Sequence, residues 1–413
     1  MHQARNSVIP PNTNHFTYIR RRCAQALLTI TCGMLCLVSH TAIASGTHSN
    51  TEHTFISALS ALQNSQIDGA LKNVESILSD KPKFKLAHLV YGDLLMAKAG
   101  EFKGFASIDK APREQLLALK EELKKRWRYH FEYQKPHKLP ASLVQLSDSQ
   151  KHVTLVDIEM SRLYVFENRN GTPVLIKDFY ASAGKKGAFK QVEGDKRTPI
   201  GVYRTTRYIP PSKLPDFYGS GAFPIDYPNE WDKRKGYTGY GIWVHGTPTD
   251  TYSRPPRASD GCVALTNVDF DAIKPYIQSR DTTVVIADRV NWLSTEEWHN
   301  RRQEFLSVIQ NWRQDWQSLD TDRYLQNYSQ NFRNKSYNFG KFARHKKRVN
   351  KHKRFVNVDV DDLKIFAYPG QQDMIVVDFK QKYKSDNYHS TSEKRQYWRK
   401  EGNRWRIIYE GPA

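Results

Sequence analysis

Residues 245–267 read HGTPTDTYSRPPRASDGCVALTN, and the rest of the chain is arranged around them. An apolar, strand-like run, Tyr240–Val244, leads into His245, and Cys262 opens a second short run, Val263–Leu265. The two are 262 − 245 = 17 positions apart, separated by a polar loop containing Pro248, Pro255 and Pro256. Two adjacent strands joined by a folded-back loop bring a thiol and an imidazole toward hydrogen-bond reach, the geometry that nucleophilic catalysis requires. A free thiol titrates at ~8.5 and a free imidazole at ~6.5, so side by side they favour the thiolate–imidazolium pair. Gly261 removes a side chain just before the thiol. A tight turn there would aim the backbone N–H groups of Asp260, Gly261 and Cys262 at a developing oxyanion. The bland alternative is a buried core cysteine and a satisfied strand-end histidine. The two stand at the ends of one loop, each beside a glycine, which favours chemistry.

The chain has 413 residues, 39% apolar and 12% aromatic, a globular composition long enough for several domains. Its formal charge of +20 asks for an anionic partner. Arg20, Arg21 and Arg22 precede an apolar segment, Ala24–Val38, too short to span a bilayer. Ala42-Ile43-Ala44 is a small-x-small cleavage site, so residues 1–44 read as a secretory signal peptide and the protein as exported. Three of the four cysteines, Cys23, Cys32 and Cys36, fall in that segment. The mature chain then keeps only Cys262, which excludes an intramolecular disulfide and a Cys-rich zinc site. A single thiol in an exported protein is a candidate reactive group.

Residues 45–145 read as a helical module. Ile67, Ala70, Leu71, Val74, Ile77 and Leu78 follow helical spacing, and Phe84, Ala87, Tyr91, Leu94 and Leu95 give a second helix. The pair resembles a tetratricopeptide-type hairpin, and Arg113 to about Tyr129 is a further helix. From His152 the period changes to two, with a turn at Asn168–Gly171. The Pro-, Gly- and aromatic-rich stretch 210–239 is placed to act as a lid over the cysteine. Thr266–Asp269 is a capping box opening a helix to about Ser279. Residues 146–290 are therefore a β-rich domain. In residues 291–413 a helix carrying Trp298, Phe305, Ile309, Trp312 and Trp316 precedes strands at 356–360, 363–368, 374–383, 394–400 and 405–409. This order resembles the SnoaL-like, nuclear-transport-factor-like α+β cone. Between Asn331 and Val360 stand ten Lys or Arg against one acid, Asp359. An exported protein does not meet nucleic acid, so the run is either a solvated loop or a patch attracted to anionic envelope polymer or a lipid surface.

The stretch 245–267 resembles the signature of the L,D-transpeptidase (YkuD-type) family: His-Gly, a loop, then Ser-x-Gly-Cys. The matching residues are His245, Gly246, Ser259, Gly261 and Cys262. The run Arg197–Tyr203 is similar to that family's Thr-Pro-x-Gly strand, and the resemblance covers about 146–290. Asp260 stands where many members carry His, and Ala264 where typical transpeptidases carry Arg; Arg254 and Arg257 are candidates for that missing cation. The resemblance implies a multidomain protein acting on peptidoglycan peptide stems without cofactor or metal. It implies Cys262 as nucleophile, His245 as general base and then acid, Gly261 and Cys262 N–H groups as oxyanion site, and Ser259 orienting the loop. A thioester released to an amine gives a cross-link; released to water it trims a tetrapeptide to a tripeptide. Ala264 points to trimming, the chemistry of the family's L,D-carboxypeptidase branch, whose members have a similar C-terminal cone. Papain-like and NlpC-type peptidases place Cys before His, and sortases lack this Ser-x-Gly-Cys. The rival of another class is a catalytically silent wall-binding scaffold.

Overall fold

The computed structural model describes residues 50–101, 112–133, 138–277 and 282–413. The expected signal peptide, with its three cysteines, lies outside the described residues. Among them no helix is long and apolar enough to cross a membrane.

Three helices open the described chain, Asn50–Gln63, Ile67–Asp80 and Lys85–Lys98. Their apolar stripes meet in one core built on Phe55, Val74, Phe84 and Leu94. A fourth helix, Arg113–Trp127, runs on through a π-helical turn, Arg128–Glu132.

The central sheet has five strands in the order Thr172–Tyr180, Arg162–Arg169, His152–Asp157, Thr283–Ala287, Gly201–Arg204. Its inner strands are buried on both faces, so they read as near-continuous apolar runs. Alternation decides which core each residue joins. Leu163 and Val165 face the layer that carries the His–Cys loop. Tyr164 and Phe166 face a second core shared with the C-terminal sheet. A three-stranded sheet, Val263–Ala264, Trp243–His245 and Ala222–Pro224, lies on the first side.

The C-terminal part begins with the helix Thr295–Gln317, opened by a capping box between Ser294 and Glu297. Trp312 and Trp316 pack with Trp398 in a third core. The expected strands 356–360 and 363–368 are one strand, Val356–Ala367, bulged between Asp361 and Lys364. It pairs with Met374–Ser385, then His389–Glu401, then Arg404–Pro412. The fifth strand is Leu143–Gln145, from the stretch grouped above with the helical module.

Two expectations change. The helix after Thr266 ends at Ile273 and passes into a 3₁₀ turn, Lys274–Tyr276, because Pro275 has no N–H to continue it. The basic run is not a solvated loop throughout: Phe339–Asn350 is a helix, capped by Asn338 and anchored by the buried Phe342. Lys346 lies over the Trp316 ring, 4.4 Å from its centroid, and Lys353 donates to the Tyr383 hydroxyl at 2.8 Å.

The central and C-terminal sheets are joined by polar as well as apolar contacts. Asp378 accepts from Arg204 of the central sheet at 2.7 Å and from Arg395 at 2.7 and 2.8 Å. Trp231 stacks on Tyr397 with ring centroids 5.1 Å apart. The Tyr368 hydroxyl donates to Ile200 O at 3.2 Å.

Candidate active site

His245 ends the strand Trp243–His245, which pairs in parallel with Val263–Ala264 so that Ala264 lies beside His245 and Val263 beside Val244. Continuing that register by one residue sets Cys262 beside Trp243. Residues two apart on a strand share a face, so Cys262 and His245 lie diagonally on one face of the pair. The sequence separation of the two becomes a short cross-strand diagonal.

The histidine is fixed in one tautomer. Its Nδ1 lies 2.6 Å from Gly246 O. A carbonyl can only accept, so Nδ1 carries the proton and Nε2 keeps its lone pair. His245 is fully buried, and Nε2 has no hydrogen-bond partner. Burial, with a smaller push from the Arg254 cation, lowers the imidazole to about 4. The Tyr218 and Phe217 rings sit 5.1 and 5.9 Å from it, so the 216–218 turn of the expected lid packs against the base.

Cys262 is the free thiol of the described chain and is half-buried. Its Sγ–H donates to Gly241 O at 3.3 Å. Burial pushes the thiol up to about 11, against the opposing pull of a Trp243 backbone hydrogen bond and of Arg254. The thiolate–imidazolium pair expected from the sequence is therefore not formed here. Both groups are desolvated and neutral, the thiol points to a carbonyl, and the imidazole waits as a free base.

Ser259 Oγ donates to Cys262 O at 2.6 Å and accepts from Gly261 N–H at 3.1 Å, bracing the turn before the thiol. The Gly261 N–H is thus engaged by Ser259 and does not serve the oxyanion in this arrangement, a change from expectation. Gly261 has φ +130°, and a Cβ there would fall 2.7 Å from Arg197 O. Asp260 is exposed and pairs with Lys185 at 3.1 Å. Ala264 is 2% exposed, with its backbone bonded to Ser182 in both directions. Arg254, one of the two candidate cations, lies over the Phe217 ring at 4.4 Å and in electrostatic contact with both Cys262 and His245. Arg257 is exposed beside Gly187.

Sequence reasoning missed Asn267. Its Oδ1 accepts from Ser220 N–H at 2.9 Å and Thr247 N–H at 3.1 Å, and its Nδ2 donates to Thr247 O at 2.8 Å. It thereby ties the residues after His245 to the 216–221 turn. A Cβ on Gly246 would lie 2.2 Å from that Oδ1, so only glycine fits there. Asn267 was visible only as the first residue after a helix cap; nothing local announced its second role. Thr198, in the quoted Thr-Pro run, donates to Gly261 O at 3.0 Å and accepts from Gly184 N–H at 2.9 Å. Among the described residues no group of His, Cys, Asp or Glu is placed to hold a metal ion.

Comparison with known proteins bears on the family and the fold. The L,D-transpeptidase catalytic domain family matches residues 151–286, and the Cds6 C-terminal NTF2-like domain family matches 304–411. No curated protein matches. Among solved structures, Bd1075 from Bdellovibrio bacteriovorus is 32% identical with a TM-score of 0.60, over 67% of this chain and 98% of that one. Pgp2 from Campylobacter jejuni, a helical cell shape determining protein, is 24% identical with a TM-score of 0.55, over 70% of this chain and 100% of that one, a likeness of fold.

Proposed function

The chain belongs to the L,D-transpeptidase (YkuD-type) family, which acts on peptidoglycan peptide stems, and on that premise we propose that it trims tetrapeptide stems to tripeptides as an exported L,D-carboxypeptidase. The observation that carries the reading is a buried imidazole with a free Nε2 on the same strand-pair face as the one described thiol. Substrate binding breaks the weak Sγ–H bond to Gly241 O and turns the thiol toward Nε2. Nε2 then takes the Sγ proton as sulfur adds to the carbonyl that precedes the terminal D-residue. The Cys262 N–H receives the oxyanion, since the Gly261 N–H is held by Ser259. Collapse breaks the C–N bond, and His245 returns the proton to the leaving amine. Water, deprotonated by the same Nε2, cleaves the thioester and restores the thiol.

Arg254 supports removal of a terminal residue. A guanidinium beside the thiol grips the free carboxylate of the departing D-residue, and Ala264 offers no cation of its own to an incoming acceptor. Arg254 also favours the rival acyl transfer to an amine if it holds the acceptor stem instead. The exposed Lys341, Arg344, Lys351 and Arg354 support attraction to anionic envelope polymer or lipid headgroups.

The test is a product ratio. Tetrapeptide muropeptide with excess acceptor amine should give tripeptides in excess of cross-linked dimers, and Cys262→Ala should give neither. Dimers as the main product would sink the trimming reading. Turnover near wild type in Cys262→Ala would remove the thiol mechanism, and no product from the wild-type protein would favour the silent scaffold.

A further inference from the structure

The loop that carries Arg254 is held from outside the catalytic domain. Ser253 Oγ donates to Glu122 Oε1, on the helix Arg113–Trp127, at 2.8 Å. Glu122 is 1% exposed and accepts also from Arg126 Nε at 3.2 Å and Nη2 at 2.9 Å. Arg126, equally buried, is paired with Glu52 of the first helix and lies over the Tyr180 ring, 3.9 Å from its centroid. The Tyr180 hydroxyl donates to the backbone carbonyl of Arg254 itself at 3.0 Å. Tyr252 packs on Phe84, with ring centroids 4.5 Å apart, and Lys83 Nζ donates to Thr249 O at 3.0 Å. Asp216 of the catalytic domain also accepts from Thr249 N–H at 3.2 Å, and on the other side of Arg254 the catalytic domain holds the loop. Ser182 Oγ donates to Pro255 O at 2.6 Å and Ala183 N–H to Pro256 O at 2.8 Å, both from the catalytic domain.

Arg254 thus stands where bracing by the N-terminal helices gives way to a half-loop fastened to the catalytic domain. Two fully buried ionic side chains at the junction are costly to desolvate and are stable only when every partner is in place. We infer that the helical module is a positioning clamp for Arg254, with Glu122, Arg126 and Ser253 setting where the guanidinium stands relative to Cys262 and so how strongly the enzyme prefers a stem ending in a free carboxylate. The inference rests on the proposed role of Arg254 and deepens it.

The experiment uses the full chain and two tetrapeptide stems, one with a free terminal carboxylate and one amidated there, comparing kcat/KM for the pair. The wild-type enzyme prefers the free acid. Arg254→Ala abolishes the preference. Ser253→Ala lowers it about tenfold, the worth of one buried hydrogen bond. The loss appears in KM for the free acid, with kcat and KM for the amide little changed, and Ser253→Thr, which keeps the hydroxyl, restores it. Glu122→Gln lowers the preference as well, while kcat for the amidated stem stays near the wild-type value. If Arg254→Ala keeps the preference, the reading of Arg254 itself fails. If Arg254→Ala loses it but Ser253→Ala and Glu122→Gln keep it, the clamp is overturned and the helices are structural support alone.

Discussion

The neutral resting state of the Cys–His pair makes a quantitative prediction about thiol reactivity. Burial holds the Cys262 thiol at about 11. At pH 7 roughly one molecule in ten thousand then carries a thiolate, against about three in a hundred for a free thiol at ~8.5. A thiolate of higher pKa is more nucleophilic, by a factor of roughly ten over that interval with a Brønsted slope of ~0.45. The net expectation is alkylation about twenty to thirty times slower than free cysteine at pH 7. The rate should climb close to tenfold per pH unit through 7–10, with no plateau near neutrality. Iodoacetamide labelling of the intact protein, followed by mass spectrometry across that range, measures it. Arg254→Ala should slow labelling further, because its cation pulls the thiol down. His245→Ala should leave labelling nearly unchanged, because Nε2 makes no hydrogen bond in this state. A plateau below pH 8, or labelling faster than free cysteine, would show a preformed ion pair and refute the argument. Slow labelling indifferent to His245 is therefore no mark of a silent protein; product formation is what separates the two.

Three further predictions rest on other parts of the molecule. Asn267→Ala removes three hydrogen bonds, which should cost roughly 3 kcal/mol by thermal unfolding and reduce turnover as the residues after His245 shift. Deleting 295–413 should give insoluble or unfolded protein on expression, not a free catalytic domain, because Phe366, Val376 and Tyr397 share a core with Val153, Leu155 and Tyr164. Burial raises the Asp232 carboxyl to about 6. A carboxyl raised above its unfolded value destabilises progressively as pH rises from about 4 to 6, and the penalty persists above. Asp232→Asn should therefore raise Tm at pH 8 and leave it nearly unchanged at pH 4, an effect of at most about 3 kcal/mol.

How much of this was legible in the sequence depends on the distance between partners. His245, Gly246, Ser259, Gly261 and Cys262 lie within one loop, so order and spacing announced them. The state of the pair did not follow, because the acidity of a thiol and an imidazole is set by burial and by Gly241 O, which no motif encodes. The partners of Asn267 lie 47 and 20 positions away, and those of Ser253 lie 131 away. Such contacts exist only after the chain has folded back. The helix Phe339–Asn350 was hidden by its own charges: Phe342 gives it an apolar anchor, and Lys346 contributes its stem and a cation over Trp316 where a pattern reader sees only a polar residue. Likewise Leu143–Gln145 is three residues long, and its membership of the C-terminal sheet depends on a register with Ile365 and Phe366.

The core shared by the two sheets has a mechanical consequence. Asp378 bridging Arg204 and Arg395, with Trp231 stacked on Tyr397, leaves no tether along which the C-terminal part could swing. Whatever that part grips is offered to Cys262 at one invariant offset. On the proposed reading, with the C-terminal part gripping the polymer that Cys262 cuts, the molecule would work as a gauge block: the whole body steps from one grip to the next, and the interval between successive cuts is dictated by the repeat of the polymer, not by the reach of the enzyme.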